Sequence, residues 1–399
     1  METACCQRLA SSHAGPGLGA VLRQFLAGFL AAHPRLPLRI KRLLQRMALC
    51  RSGTLGSTVL RCSGCGHCES IPLGCGDRHC PSCQAAHSRK WLDNQLRWLL
   101  PVAYYHVVFT LPHELHGLAL LNQAALYRLL FDCAASTLME FARSRLGGTP
   151  GITAILHTWG QQLTYHPHLH CIITAGALSD DAQNWTAPKQ RGYLFPEAAV
   201  AVLFRGKFMA GLRALWPGLR LPEPAARPSW DALYKKHWHV YLKRPFGGPR
   251  EALAYLANYT HRVAIANSRI QSVDANGVRF AYRDYADARE IKSCELSGIA
   301  FIERFRLHIL PPHFTKIRHF GILANNRKSA AVPQVRLLLH SKKTVELLLE
   351  LRQQQQLADA AKPSRPCPCC RDGKLLAPFC VITPRGVRLC RFRHFDDTS

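Results

Sequence analysis

Tyr165-His166-Pro167-His168-Leu169-His170-Cys171-Ile172-Ile173-Thr174 sets three histidines at alternate positions and then runs into an apolar, β-branched segment. On an extended strand, residues two apart point to one face. His166, His168 and His170 therefore share one side, and Leu169, Cys171 and Ile173 the other. Neutral imidazoles converging on one point make a divalent-metal site, and imidazole suits several transition ions. A histidine-rich edge strand with solvated rings is the competing reading in a chain of 20 histidines.

The flanking chain supplies a sheet to support that strand. Residues 104–111 read as a buried strand closed by Pro112. Over 115–146, Leu118, Leu121, Ala125, Leu129, Ala134, Leu138 and Phe141 recur at helical spacing, and Gly147-Gly148 ends the run. Residues 152–159 form a second strand. Strand, helix, strand, strand is the order of a ferredoxin-like or RRM-like sandwich. The expected class is α+β, an antiparallel sheet with helices, with the histidines on a central strand.

Beyond it, a basic helix over 198–215 contains Phe204-Arg205-Gly206-Lys207-Phe208, and residues 217–228 are a proline-rich linker. Residues 235–243 alternate basic or polar with aromatic side chains, as in a further strand. A helix over 250–266 carries Tyr255 and Tyr259, four apart and so on one face, one turn apart. An aromatic core pair is the plain alternative. Asn276-Gly277 marks a β-hairpin over 268–284.

Lys plus Arg number 52 against 25 acidic residues, a net charge of +27 with a pI near 9.9. That imbalance points to a polyanionic partner, nucleic acid first. A membrane ranks behind it, because no apolar run approaches the roughly 20 residues of a spanning helix. Residues 1–20 also lack the basic start and apolar core of an export signal. An odd count of 17 cysteines without such a signal argues against a disulfide framework and for metal binding in a reducing, cytoplasmic compartment.

Residues 18–50 read as helical and basic, broken at Pro34 and Pro37. Cys62-Ser63-Gly64-Cys65 and Cys80-Pro81-Ser82-Cys83 follow, two CxxC knuckles with 14 residues between them. Each knuckle brings two thiolates to one tetrahedral ion, so Cys62, Cys65, Cys80 and Cys83 are the expected ligands of a structural zinc, with Cys75 as a substitute. Cys367-Pro368-Cys369-Cys370, with Cys380 and Cys390 beyond, suggests a second knuckle whose partner pair is not a CxxC.

A histidine strand, paired tyrosines and a basic, zinc-bearing chain are jointly explained by phosphodiester transfer from a tyrosine nucleophile. A metal on the histidines polarises the scissile phosphate. A tyrosine Oη attacks in line and conserves the bond as a phosphotyrosine. Two tyrosines allow two successive attacks, as strand transfer requires.

With those residues in view, the chain resembles a transposase of the insertion sequence 91 family, the rolling-circle HUH transposases with two tyrosines. The matching runs are Cys62-Ser-Gly-Cys65 with Arg78-His-Cys-Pro-Ser-Cys-Gln84, His106-Val-Val-Phe-Thr-Leu-Pro-His-Glu-Leu115 and His157-Thr-Trp-Gly-Gln161. His166-Pro-His-Leu-His170, Phe204-Arg-Gly-Lys-Phe208 and Tyr255-Leu-Ala-Asn-Tyr259-Thr-His-Arg262 also match, as do Asn267-Ser-Arg269, Phe301-Ile-Glu-Arg-Phe305 and Ile317-Arg-His-Phe-Gly321. The cover runs from about residue 20 to 330.

The resemblance implies a ferredoxin/RRM-like HUH endonuclease core over 101–330, preceded by a helical, zinc-binding region over 1–100 and followed by a C-terminal helix and cysteine-containing basic tail over 331–399. It implies His168 and His170 as metal ligands, with Gln161 as the third ligand of Mg2+ or Mn2+. Tyr255 and Tyr259 become the nucleophiles, Tyr259 first if only one initiates, and Arg262, Arg205 and Lys207 become DNA contacts. The implied substrates are single-stranded DNA at the element's ends and target DNA, in a bacterial cytoplasm. With no GxxxxGK[ST] loop in the sequence, unwinding falls to host proteins. A zinc-dependent DNA-binding regulator without catalysis is the alternative, and a metallohydrolase activating water with the histidines is a third reading.

Overall fold

The computed structural model describes residues 16–190, 192–224, 227–246, 248–249, 251–252, 255, 263–284, 287, 289–339, 349, 353, 365–370, 372–375, 380–384 and 386–389. The chain divides into two units: Met1–Ala85 with Ile265–Arg306 and Gln353–Ser399, and Ala86–Ala264 with Leu307–Arg352. This interleaving differs from the consecutive division expected from the sequence. One reason lies in the tail, where the Cys380–Thr383 strand pairs antiparallel with Ser57–Arg61.

The second unit holds the histidine strand, Tyr165–Thr174, at the centre of a five-stranded sheet. The spatial order is Ile317–Gly321, Gly151–Trp159, Tyr165–Thr174, Tyr104–Thr110, Val240–Leu242. All neighbours are antiparallel. The first two strands in chain order, Tyr104–Thr110 and Gly151–Trp159, flank the third. That is the split arrangement of a β-α-β-β-α-β sandwich, to which Ile317–Gly321 adds an edge strand.

Alternation along these strands sorts the side chains as the sequence predicts. Leu169, Cys171 and Ile173 are fully buried on one face, with Val107, Phe109, Ala154 and Leu156. That face packs against the helices Gln123–Leu146 and Glu197–Leu215, whose Leu130, Ala134, Phe204 and Phe208 complete the core. The other face, with Ile155, Ile172 and Tyr104, meets Ala252, Ile322, Val332 and Val335.

The helical run over 115–146 is two helices, His116–Leu121 and Gln123–Leu146. They part at Asn122, whose side chain bonds the Leu118 carbonyl at 3.0 Å and the Arg220 carbonyl at 2.8 Å. Asparagine competes for backbone groups in this way and so breaks helices. Gly147 closes the second helix at φ +66°, its N–H bonding the Arg143 carbonyl, a backbone conformation glycine adopts without strain.

In the first unit, the helices Leu18–Ala32 and Leu38–Ala48 precede a four-stranded sheet ordered Gly386–Leu389, Cys380–Thr383, Ser57–Arg61, Cys68–Pro72. The hairpin at Asn276-Gly277 joins Ile270–Asp274 to Gly277–Asp284. A third strand, Glu290–Leu296, extends it, and Gly298–Arg306 is a helix. Residues 345–357, which the sequence predicts as the C-terminal helix of the 331–399 region, lie almost wholly outside the described residues. Among the described residues, no helix is long and apolar enough to cross a membrane.

Candidate metal centre, tyrosine site and cysteine clusters

Register brings a third histidine to the expected pair. His157 on Gly151–Trp159 lies directly opposite His168, and one ring nitrogen from each of His157, His168 and His170 falls within 4.8 Å of the others. The Nε2 atoms of His168 and His170 are 3.1 Å apart. Nitrogens bonded at about 2.1 Å to adjacent positions of an octahedral ion are separated by about 3.0 Å. His168 Nδ1 lies 2.7 Å from the His166 carbonyl. A carbonyl can only accept, so Nδ1 carries the proton and the Nε2 lone pair faces inward. His157 stacks on Trp159, with ring centroids 4.5 Å apart.

Burial disfavours the charged forms of His168 and His170. It lowers His168 to about 4, and lowers His170 well below the ordinary imidazole value, helped by His157 and His168. Neutral imidazole is the metal-binding form, so the donor set fits a divalent ion. His166 does not join the three converging nitrogens: it supplies the carbonyl that orients His168, and its ring lies 5.1 Å from that of His168 and 5.6 Å from that of His116.

Behind His170 lies a phenol. Tyr255 Oη is 3.1 Å from His170 Nδ1 and 3.0 Å from His106 Nε2, and those two nitrogens are 2.9 Å apart. His106 is buried on the neighbouring strand, lowered to about 3 by desolvation and by the charge of Lys243. With His170 Nε2 facing the cluster as acceptor, its Nδ1–H donates to Tyr255 Oη, and the Tyr255 hydroxyl donates to His106 Nε2. His106 Nδ1 then carries the other proton; it has no partner among the described residues.

The two CxxC knuckles do not meet. Cys80 and Cys83 are joined by Cys75 and by Cys50, which belongs to no CxxC pair. Sγ separations are 3.5 Å for Cys80–Cys50, 3.6 Å for Cys50–Cys83 and 3.7 Å for Cys75–Cys83. Four thiolates at about 2.3 Å from a tetrahedral ion stand about 3.8 Å apart. Hydrogen bonds from Cys75 and Cys80 lower the Cys50 thiol, and hydrogen bonding to Cys50 in turn raises Cys80. Cys62 and Cys65 lie instead with Cys367 and Cys370. The single expected four-cysteine site is thus corrected to two clusters, because the tail strand delivers a second pair of cysteines to the first knuckle.

Residues 151–330 match the family model "Putative transposase", and residues 21–111 match "Transposase zinc-binding domain". The transposase for insertion sequence element IS801 of Pseudomonas savastanoi pv. phaseolicola is 31% identical over 307 residues, covering 73% of this chain and 72% of that one. A Sinorhizobium fredii protein described as a "putative transposase" is 35% identical over 382 residues, 92% of this chain and 95% of that one. The chain belongs to the insertion sequence 91 transposase family. No solved structure matches it significantly.

The other expected site residues of the transposase fall as follows. Gln161 lies in the turn between the two histidine-bearing strands. Arg205 donates to the Lys236 carbonyl at 3.2 Å and Lys207 pairs with Glu140 at 2.7 Å, so both are engaged within their own unit. Tyr259 and Arg262 lie outside the described residues. The signal for His157 was its position three residues before the turn at Gly160, which sets it across from His168 in a tight hairpin.

Proposed function

We propose that this transposase nicks single-stranded DNA at its element's ends and transfers it through a 5′-phosphotyrosine intermediate, in rolling-circle fashion on an HUH core. The observation that supports it is Tyr255 Oη at 3.1 Å from His170, one of three imidazoles whose ring nitrogens converge. His157, His168 and His170 would hold Mg2+ or Mn2+, with His157 rather than Gln161 as the third ligand. When bound, the ion polarises the scissile phosphate and offsets charge on the departing oxygen.

The chain's own groups handle the phenol. His106 Nε2 is the acceptor for the Tyr255 proton, and His170 Nδ1–H stabilises the phenoxide as it forms. Attack of Oη on phosphorus makes the phosphotyrosine bond and releases the 3′ oxygen, which takes up a proton from solvent. In the return step a 3′ hydroxyl attacks the phosphotyrosine and gives its proton to solvent, and the phenol recovers its own proton from His106. Tyr259, four residues on in the sequence, provides the second attack, so that Tyr255 rather than Tyr259 takes the first. The chain's +27 charge suits the polyanionic substrate, and the zinc-binding domain is read as a DNA-docking module.

Incubation with labelled single-stranded DNA from the element's ends and Mn2+ tests this reading. An SDS-resistant adduct is expected from the native chain and none from Tyr255→Phe/Tyr259→Phe. Nicking without an adduct, preserved in that double variant, indicates a metallohydrolase. DNA binding with neither nick nor adduct indicates a regulator.

A further inference from the structure

We infer that Cys62, Cys65, Cys367 and Cys370 bind a second zinc ion, which staples the C-terminal tail onto the N-terminal module. The two cysteines of the tail lie outside the matched zinc-binding domain, which ends at residue 111. They sit 308 and 302 positions from the sulfurs they meet: Cys62 Sγ is 3.5 Å from Cys370 Sγ, and Cys65 Sγ is 3.7 Å from Cys367 Sγ. All four sulfurs lie within 4.8 Å of one another. These separations approach the tetrahedral edge of about 3.8 Å for a zinc tetrathiolate and are far from the roughly 2.05 Å of a disulfide.

Two half-sites of the same construction make the cluster. In Cys62-Ser-Gly-Cys65, the Gly64 N–H points at Cys62 Sγ at 3.3 Å. In Cys367-Pro-Cys-Cys370, the Cys369 N–H points at Cys367 Sγ, also at 3.3 Å. Amides aimed at sulfur favour the thiolate, the metal-binding form. Gly373 supplies the clearance: a Cβ there would lie 2.3 Å from Cys62 Sγ and 2.7 Å from Cys370 Sγ.

The surrounding backbone holds the halves together. Cys62 pairs with Leu375, the Ser63 N–H bonds the Lys374 carbonyl at 3.0 Å, and the Cys367 N–H bonds the Gly373 carbonyl at 2.8 Å. From there the Cys380–Thr383 strand pairs with Ser57–Arg61. Among the described residues, apolar contact in this cluster is small: Cys62, Cys367 and Leu375 are its buried members, with Leu60 and Cys370 against them. Closing a loop of some 300 residues carries an entropic cost that rises with the logarithm of its length, and an ion held by both ends offsets it. The inference extends the zinc reading of the N-terminal module without depending on the cluster of Cys50, Cys75, Cys80 and Cys83.

Zinc content per chain of the full-length protein tests it. Two ions are expected in the native chain, one in Cys367→Ser/Cys370→Ser and one in Cys80→Ser/Cys83→Ser. A native chain whose zinc content is unchanged by Cys367→Ser/Cys370→Ser overturns the proposal. Loss confined to Cys80→Ser/Cys83→Ser does so as well, while leaving the first centre standing. Alkylation of the native chain, mapped by mass spectrometry, gives a second reading that needs no variant. Cys65 and Cys369 are both exposed, but only Cys65 belongs to the cluster. Protection of Cys65, Cys367 and Cys370 until a chelator is added, with Cys369 labelled from the start, supports the site. Equal labelling of Cys65 and Cys369 before chelation, or a Cys62–Cys370 disulfide in the peptide map, overturns it.

Discussion

Tyr255 Oη and His170 Nδ1 are 3.1 Å apart, which ties a phenol to the far side of an imidazole whose Nε2 faces His168. Both contacts of the phenol follow from strand alternation: His106 and His170 occupy the same face of neighbouring antiparallel strands. The tyrosine is thereby wired to the histidine cluster on one side and to a proton acceptor on the other.

If His106 accepts the phenol proton, its loss should slow chemistry without loosening the metal. His106→Phe keeps an aromatic ring against Phe246 and Tyr255, which lie 6.4 and 4.6 Å from the native ring. Adduct formation is expected to fall by about 10²–10⁴-fold, with the Mn2+ concentration for half-maximal rate within a few-fold of native. A large rise in that concentration with an unchanged maximal rate would instead make His106 a positioning residue for His170.

Acid should destabilise the histidine-bearing unit. Burial lowers His168, His308 and His319 to about 4 and His106 to about 3, against about 6.5 in the unfolded chain. Between those values the unfolded state binds more protons, so stability falls as pH drops from about 6.5 to about 4. The slope is about 1.4 kcal/mol per pH unit for each group fully protonated only when unfolded. Urea titrations of metal-free protein at pH 7, 6, 5 and 4 should show midpoints that decline steadily; flat midpoints would contradict the neutral, buried cluster.

Tyr165 opens the histidine strand and shares a 2.6 Å hydrogen bond with Tyr127 on the long helix, where both rings are largely buried. Removing one hydroxyl leaves the other without its partner. Tyr127→Phe should cost about 1–3 kcal/mol, and Tyr127→Phe/Tyr165→Phe clearly less than the sum of the single changes. Strict additivity in urea unfolding would show that the pair is not coupled.

Cys50 follows the helix Leu38–Ala48, and its sulfur accepts the Cys75 N–H at 3.4 Å. Cys50→Ser should lower zinc content by one ion per chain and weaken the first unit towards heat. Unchanged zinc content would remove Cys50 from the ligand set.

The sheet and its histidines were legible because their signals are local. Alternation from His166 to Ile173 separated a polar face from an apolar one, Gly147-Gly148 ended a helix, and Asn276-Gly277 turned a hairpin. Residues brought together by distant pairing were not legible. Cys50 carries no spacing signal, and nothing near Cys62-Ser-Gly-Cys65 indicates that its partners lie some 300 residues later. His157 fell between these cases, since the hairpin register that sets it opposite His168 depends on a turn the sequence only outlines.

In the proposed reaction a tyrosine of this chain becomes covalently joined to DNA. Mass spectrometry of the adduct, after nuclease trimming and proteolysis, tests it most directly. A nucleotide 5′-phosphate is expected on Tyr255 or Tyr259, and none when His168 and His170 are both replaced by alanine. Nicked DNA with no modified tyrosine, or a nucleotide attached to any other side chain, would contradict it.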